Sequence, residues 1–412
     1  MVLAGAVWVS LTATGSGHAD DAATDVSVAR VETMLETRPH AVDEAWRLLT
    51  SRGLPLIEPS PDDPDMARVT FAYKAPYDAV GVRLDSVINA PRAAPVVRDY
   101  VRDFTLPMTR VAGSEIWAIT LDVPRDVQAV YSFLVDRGEG WQRRSDSANR
   151  RKLRGNAAEA ILQLDRVGDL SAIRPWPRRL QPEPDRMSVI SPALGRDVSV
   201  ELFRSPDAGP GAPVVILWDS FLWGVRAPAV EIAGNLANAG HIPAAHIVLI
   251  DQLDADSAQS AYADQTAFVA DDLLPALEAA GIGTDRVVLG GASRRGLAAS
   301  RVALDRPDLI DGVIALSGSF YWSPEGEAPE WLAREIGPAA PDAPAFYLAA
   351  GSLEFVVTTT NGGHVMLDTN RRFDAALEAA GYDTAFAVYG GGHDIAGWRL
   401  ALADGLVALL GD

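Results

Sequence analysis

Six residues, Gly291-Ala292-Ser293-Arg294-Arg295-Gly296, stand between the apolar run at 286–289 and the helix-forming stretch at 297–304. Strand, tight glycine-rich turn with a central serine, then helix is the layout of a nucleophile elbow. Such a turn lifts the serine hydroxyl clear of the backbone and aims a helix N-terminus at the charge that develops on an attacked carbonyl. Few folds present this order, so it predicts both an architecture and a chemistry.

A serine hydroxyl becomes a useful nucleophile only beside a base that a third group orients. The chain has six histidines: His18, His40, His241, His246, His364 and His393. In this fold the histidine follows the acid, which follows the serine. His393 meets that order, in Gly390-Gly391-Gly392-His393-Asp394 after the strand-like run at 385–388, with a helical segment expected from Trp398. Glu354 follows the strand-like run at 346–350 and is the expected acid, with Asp368 and Asp394 as alternatives. His364 is the alternative base, although it precedes no clear strand-to-helix junction.

At 412 residues and 48% hydrophobic content the chain can build two packed cores. Its net charge of −19 argues against a nucleic-acid partner, which needs a basic face. An acidic ligand would approach only through a local basic patch. Cysteine is absent, which excludes a disulfide framework, a thiolate metal site and a cysteine nucleophile. No His/Asp/Glu cluster has convincing ligand spacing, so neither a metal nor a cofactor is expected. The apolar run at 2–11 has no Lys or Arg before it and is read as a non-cleaved N-terminus. No stretch has the roughly 20 apolar residues of a membrane span.

Residues 1–38 read as an extension and 39–137 as a small Ig-like β-sandwich, with a helix at 43–49 and short strand-like runs at 69–73, 81–85, 116–121 and 129–135. Residues 138–187, rich in Arg and Pro, read as a linker, or alternatively as an anion-attracting rim over the active site. From 188 to 412, apolar runs at 198–203, 214–218, 246–250, 287–289, 313–316, 346–349 and 386–388 alternate with helix-like segments at 227–239, 267–279 and 370–380. That alternation predicts an α/β fold, a mostly parallel sheet covered on both faces, with ligands at the carboxyl ends of the strands.

With these residues in place, the chain resembles the enterochelin (enterobactin) esterases, serine hydrolases that cut ferric catecholate siderophores. The resemblance runs from about residue 40 onward. It rests on Gly391-Gly392-His393-Asp394 with Trp398-Arg399, Ser317-Gly318-Ser319 with Trp322, Ala350-Gly351 with Glu354 and Asn370, and Val248-Leu249-Ile250-Asp251 with Asp272-Leu273-Leu274-Pro275. In the first domain it rests on Met108, Gly113-Ser114-Glu115-Ile116-Trp117 and Tyr131-Ser132-Phe133. The resemblance implies an α/β-hydrolase domain behind a β-sandwich, with Ser293 as nucleophile, His393 as base and Glu354 as acid. It implies an oxyanion hole from backbone N–H groups of Phe221 or Leu222 together with Arg294. Trp223 and Trp322, with Tyr321, are candidate pocket aromatics, core packing being the other reading of each. It implies a cytoplasmic enzyme acting on a small ester substrate, with any iron arriving in that substrate.

Three departures stand out. Arg295 occupies an elbow position where the family has glycine, Ser220 another, and Ala258 and Ala261 replace an Arg and a Glu. Arg294 or Arg295 is therefore expected to supply positive charge for an anionic substrate. Three readings stay open at this point: a siderophore esterase, a carboxylesterase of the same fold acting on another acyl ester, and a siderophore- or glycan-binding protein with an eroded elbow. Oligomeric state is not legible.

Overall fold

A computed structural model describes residues 26–90, 104–155, 159–251, 263–355, 357–358 and 364–411. Ala258 and Ala261 lie outside the described residues, as does the apolar run at 2–11.

The N-terminal half is built on period-two patterning. In chain order the strands are β1 (Leu56–Pro59), β2 (Met66–Lys74), β3 (Gly81–Ser86), β4 (Thr105–Pro107), β5 (Thr109–Arg110), β6 (Ile116–Pro124), β7 (Gln128–Asp136), β8 (Trp141–Arg144) and β9 (Ala160–Gln163). They form two antiparallel sheets, ordered β1-β2-β6-β5 and β4-β3-β7-β8, with β9 also paired to β7. Along β2, Ala67, Val69 and Phe71 enter the core between the sheets, where they meet Leu84, Tyr131 and Phe133. Ala72 instead joins a second cluster on the outer face, built with helices α1 (Val28–Thr37) and α2 (Val42–Thr50) through Val31, Leu35, Ala45 and Leu49. The expected sandwich is therefore present, with one sheet covered by a helical layer. Residues 28–38, read from sequence as part of an extension, are part of that layer.

The stretch read as a linker also carries structure. It holds β8 and β9 and then runs as a strap over the second domain. Arg154 pairs with Glu231, and the Trp176 amide donates to Glu231 Oε2 at 2.7 Å. Trp176 Nε1 donates to Asn235 Oδ1 at 2.7 Å, and its indole lies where a β-carbon on Gly234 would stand. Some of its basic residues meet nearby acids: Arg143 pairs with Asp85 at 2.7 Å and Arg154 with Glu231. Low hydrophobicity concealed this segment, because polar groups rather than apolar periodicity attach it.

The second domain is a sheet of eight strands: β10 (Asp185–Ser191), β11 (Arg196–Phe203), β12 (Val214–Trp218), β13 (His246–Ile250), β14 (Val287–Ala292), β15 (Gly312–Leu316), β16 (Ala345–Gly351) and, after a short hairpin of β17 (Val357–Thr358) with β18 (His364–Val365), β19 (Thr384–Tyr389). Their order is β10-β11-β13-β12-β14-β15-β16-β19, antiparallel from β10 to β13 and parallel from there on. Strand β12 shows why the parallel strands are continuously apolar. Val214, Ile216 and Trp218 face one core, while Val215 and Leu217 face the other.

The first face is covered by α4 (Ala263–Ala267), α5 (Leu274–Ala279), α6 (Arg294–Asp305), α7 (Trp331–Arg334) and α8 (Met366–Ala380). The second is covered by α3 (Ala229–Asn238) and α9 (Ile395–Leu410). Helix α9 is apolar nearly all round because it is wedged between the sheet and β7 of the first domain. Leu353, in the loop after β16, packs into the core of the sandwich, while Leu153 and Ile161 pack into the core of the hydrolase domain. Among the described residues no helix is long and apolar enough to cross a membrane.

Replacing Trp176 with Ala should lower stability by about 2 kcal/mol, since a half-buried indole and its hydrogen bond are lost. Thermal melts should show the drop, while turnover of a small nitrophenyl ester at 25 °C stays within twofold of the parent.

Candidate active site

The elbow forms because neighbouring backbone leaves Ser293 no relaxed alternative. Ser293 has φ 56° and ψ −123°, a conformation that costs a non-glycine residue about 1–3 kcal/mol. Its N–H donates to Leu316 O at 2.8 Å, and its carbonyl accepts from Ser319 N at 3.1 Å, so β15 and the loop after it hold the turn. Arg295, the departure from the family pattern, is accommodated without loss of the elbow. A β-carbon on Gly291 would lie 2.6 Å from the β-carbon of Arg295, so the absence of a side chain at 291 makes room for the one at 295. Gly296 takes over the close packing, against the Gly291 carbonyl and Ala315.

Glu354 lies in the loop after β16 and His393 in the loop after β19. His393 Nδ1 and Glu354 Oε2 are 2.9 Å apart, with side-chain exposures of 15% and 2%. The carboxylate is buried and the ring reaches toward the open side. With Nδ1 engaged by the acid, Nε2 is the ring nitrogen able to take a proton from a serine. Burial alone would lift the Glu354 carboxyl. The adjacent His393 and hydrogen bonds from His393, Ser317 and the Gly351 amide outweigh burial and hold it below the usual carboxylate range.

The Ser293 hydroxyl is hydrogen-bonded to Ser319 Oγ, 3.3 Å away, and among the described residues it makes no hydrogen bond to His393. Rotation about χ1 moves such a hydroxyl between staggered wells, and bonds of this kind often tighten only around substrate. Ser319 is buried, and its place beside the nucleophile was not read from the sequence, where the Ser317-Gly318-Ser319 motif carried only resemblance.

Three more residues around the acid were likewise given no role. Ser317 Oγ donates to Glu354 Oε1 at 2.6 Å and accepts from Trp398 Nε1 at 2.9 Å. The Tyr389 hydroxyl lies 3.0 Å from Glu354 Oε1 and 3.1 Å from the Gly392 carbonyl. Burial raises its pKa well above the ordinary phenol value, so it stays a donor. Trp398 also meets His393 edge to face, at 5.0 Å between ring centres. Asn370 fixes the Ser317 loop by bonding both the amide and the carbonyl of Gly318.

Among the described residues, neither alternative for the acid pairs with His393. Asp368 is half-exposed and paired loosely with Arg371 at 3.8 Å. Asp394 is half-buried and caps α9, accepting from the amides of Ala396 and Gly397. The side chain of His364 is outside the described residues.

The loop after β12 stands beside the elbow, because β12 pairs with β14. Its expected donors divide. The Leu222 amide donates to Asp219 Oδ1 at 2.9 Å and is thereby committed, which corrects its assignment as an oxyanion donor. Phe221 immediately precedes the helical turn Leu222–Arg226, and Arg294 opens α6. Trp223 is a second correction: it is 0% exposed and belongs to the core under α3, so it lines no pocket. Trp322 is half-buried, stacked edge to face on Trp331 and packed on the opposite core. Arg294 and Arg295, directly after the nucleophile, are half-buried.

Residues 191–409 match the family described as putative esterase, just over half of the chain. The chain belongs to that family. An iron(III) salmochelin esterase of Escherichia coli O6:H1 is 27% identical to this esterase, over 89% of this chain and 93% of the relative. An iron(III) enterobactin esterase of Dickeya dadantii is 26% identical, over 92% of this chain and 95% of its own length. The solved structure of a ferric enterobactin esterase from Salmonella typhimurium superposes with a TM-score of 0.71 at 23% identity, covering 89% of this chain and 98% of that one. The likeness to that structure is one of fold, and it extends through both domains.

Two outcomes are expected. Glu354→Gln should lower kcat about 10³–10⁴-fold, and Ser317→Ala, which deletes one hydrogen bond to the carboxylate, about tenfold; steady-state assays at pH 7.5 check both. Asp394 is the pH-sensitive carboxyl. Burial pushes it up from 3.8 to about 6, against the amides of Val130, Ala396 and Gly397 and the charge of Arg399. A raised carboxyl binds its proton more tightly when folded, so its contribution to stability is greatest in acid and declines between about pH 4 and 6. Melting temperatures of the parent relative to Asp394→Asn should fall across that window.

Proposed function

We propose that this esterase hydrolyses the ester bonds of a ferric catecholate siderophore of the enterobactin type and so releases iron. What carries the reading is the buried Glu354–His393 pair, 2.9 Å apart, beside a strained elbow serine. It occurs in a chain that aligns through both domains with iron(III) siderophore esterases.

In this mechanism the Ser293 oxygen attacks an ester carbonyl as His393 Nε2 takes its proton, and Glu354 holds the imidazolium that forms. The oxyanion of the tetrahedral intermediate accepts hydrogen bonds from the amides of Phe221 and Arg294, at the positive end of α6. Collapse breaks the bond to the alcohol, which leaves with the proton from His393. Water then attacks the acyl-serine, giving its proton to the same nitrogen, and Ser293 is released with a free carboxylic acid.

Opening a cyclic triester removes the preorganisation that makes chelation tight, so the metal is held less firmly afterwards. The iron is cargo throughout. The compartment proposed is the cytoplasm, where imported ferric siderophore would be processed.

An anionic ferric complex meets a chain of net charge −19, so local cations must receive it. Arg294 and Arg295, which directly follow the nucleophile, are assigned that part. With ferric enterobactin as substrate and mass detection of linear fragments, Ser293→Ala should abolish cleavage. Arg294→Ala and Arg295→Ala should each raise KM about tenfold for the ferric complex and leave a neutral nitrophenyl ester within twofold. Hydrolysis of the nitrophenyl ester alone, with the trilactone left intact by the parent enzyme, would move the assignment to a carboxylesterase for another acyl ester.

A further inference from the structure

The three glycines before His393 lie against the other domain, two of them against its backbone and one against a side chain. A β-carbon on Gly390 would overlap the Asp126 carbonyl. One on Gly391 would lie 2.9 Å from the Gln128 carbonyl, and one on Gly392 would lie 2.8 Å from the β-carbon of Val87. The Gln128 amide donates to the Gly390 carbonyl at 3.0 Å. Directly after the histidine, Asp394 Oδ2 accepts from the Val130 amide of β7 at 3.1 Å, while its Oδ1 caps α9. One turn into that helix, Arg399 Nη2 donates to Gln128 Oε1 at 3.0 Å. The acid is tied to the same place: the Leu353 amide donates to the Gly391 carbonyl at 2.8 Å, and the Leu353 side chain is buried in the sandwich core.

We infer that the β-sandwich domain positions the catalytic base, with Asp394 and Gln128 as the positioning residues that fix the histidine loop against β7. The inference rests on the triad reading above and goes beyond it, since a sandwich that only received substrate would need none of these bonds. A histidine whose ring is held by Glu354 and Trp398, and whose loop is held by a separate domain, depends on domain docking for its position. Undocking would leave Ser293 and its elbow intact while removing the base from register, and displacements of about 1 Å at a catalytic group cost on the order of 10²-fold in rate.

The test uses the full chain and p-nitrophenyl acetate, a substrate too small to need a platform. Asp394→Asn keeps the shape but replaces one acceptor oxygen with a donor; Gln128→Leu removes the acceptor for Arg399 from the sandwich side. Rates are expressed per active serine, counted by end-point fluorophosphonate labelling, so an unfolded fraction does not contribute. Both variants should lose at least tenfold in kcat with KM within twofold, and their labelling should slow in parallel. If kcat and labelling stay within twofold of the parent in the folded variants, the inference is overturned, even where KM for ferric enterobactin rises. Should Asp394→Asn not fold, Gln128→Leu alone decides. Ser293→Ala separates the two readings: labelling that persists in it defeats the triad itself, whereas labelling lost there but unaltered in the other variants defeats only the role given to the sandwich.

Discussion

A carboxylate with 2% side-chain exposure is the constraint around which this molecule is arranged. An isolated buried charge would neutralise itself, so Glu354 can remain an anion only if its oxygens are met from several directions. They are: His393 meets one, while Ser317, Tyr389 and the Gly351 amide meet the other. The acid and its partners arrive from three strand ends. Strand β15 delivers Ser317, β16 delivers the acid itself, and β19 delivers Tyr389 and the histidine loop. The parallel sheet is thus what allows one anion to be satisfied, and the satisfied anion is what gives His393 a defined tautomer.

The same logic explains how much was legible beforehand. Apolar strands buried on both faces announce themselves, and the runs at 214–218 and 246–250 coincide with β12 and β13. The candidate triad was readable because Ser293 and Glu354 follow such strands and His393 follows the half-exposed edge strand β19, in a fixed order. Strand β10 was not, because it is a sheet edge with alternating exposed residues and no apolar run. Strands β8 and β9 were hidden inside a charged stretch: β8 is exposed along its length, and β9 is only four residues long although Ala160 and Leu162 enter the sandwich core. Ser317, Ser319 and Tyr389 are ordinary residue types whose value comes entirely from neighbours distant in sequence, and no local pattern encodes that. Trp223 shows the opposite error, in which an aromatic beside a catalytic loop proves to be core.

Arg295 shows how a motif can change its letters and keep its geometry. The elbow needs one backbone approach without side chains between strand and helix, and the structure meets that need with Gly291 and Gly296 rather than with a glycine at 295. A residue judged by motif alone looks disruptive; judged by the space around it, the same residue fits because its β-carbon meets the bare α-carbon of Gly291. The motif therefore constrains a distance more than it constrains an identity.

The Asp394 bond to Val130 spans 264 positions of sequence. Contacts that close so large a loop are late events in folding, since the entropy of bringing the ends together must be met before the contact contributes anything. Both sheets can form beforehand from pairings closer along the chain. A newly made molecule would then pass through a stage with complete secondary structure and an intact elbow but an unregistered base, and hydrolytic competence would emerge as the final product of assembly.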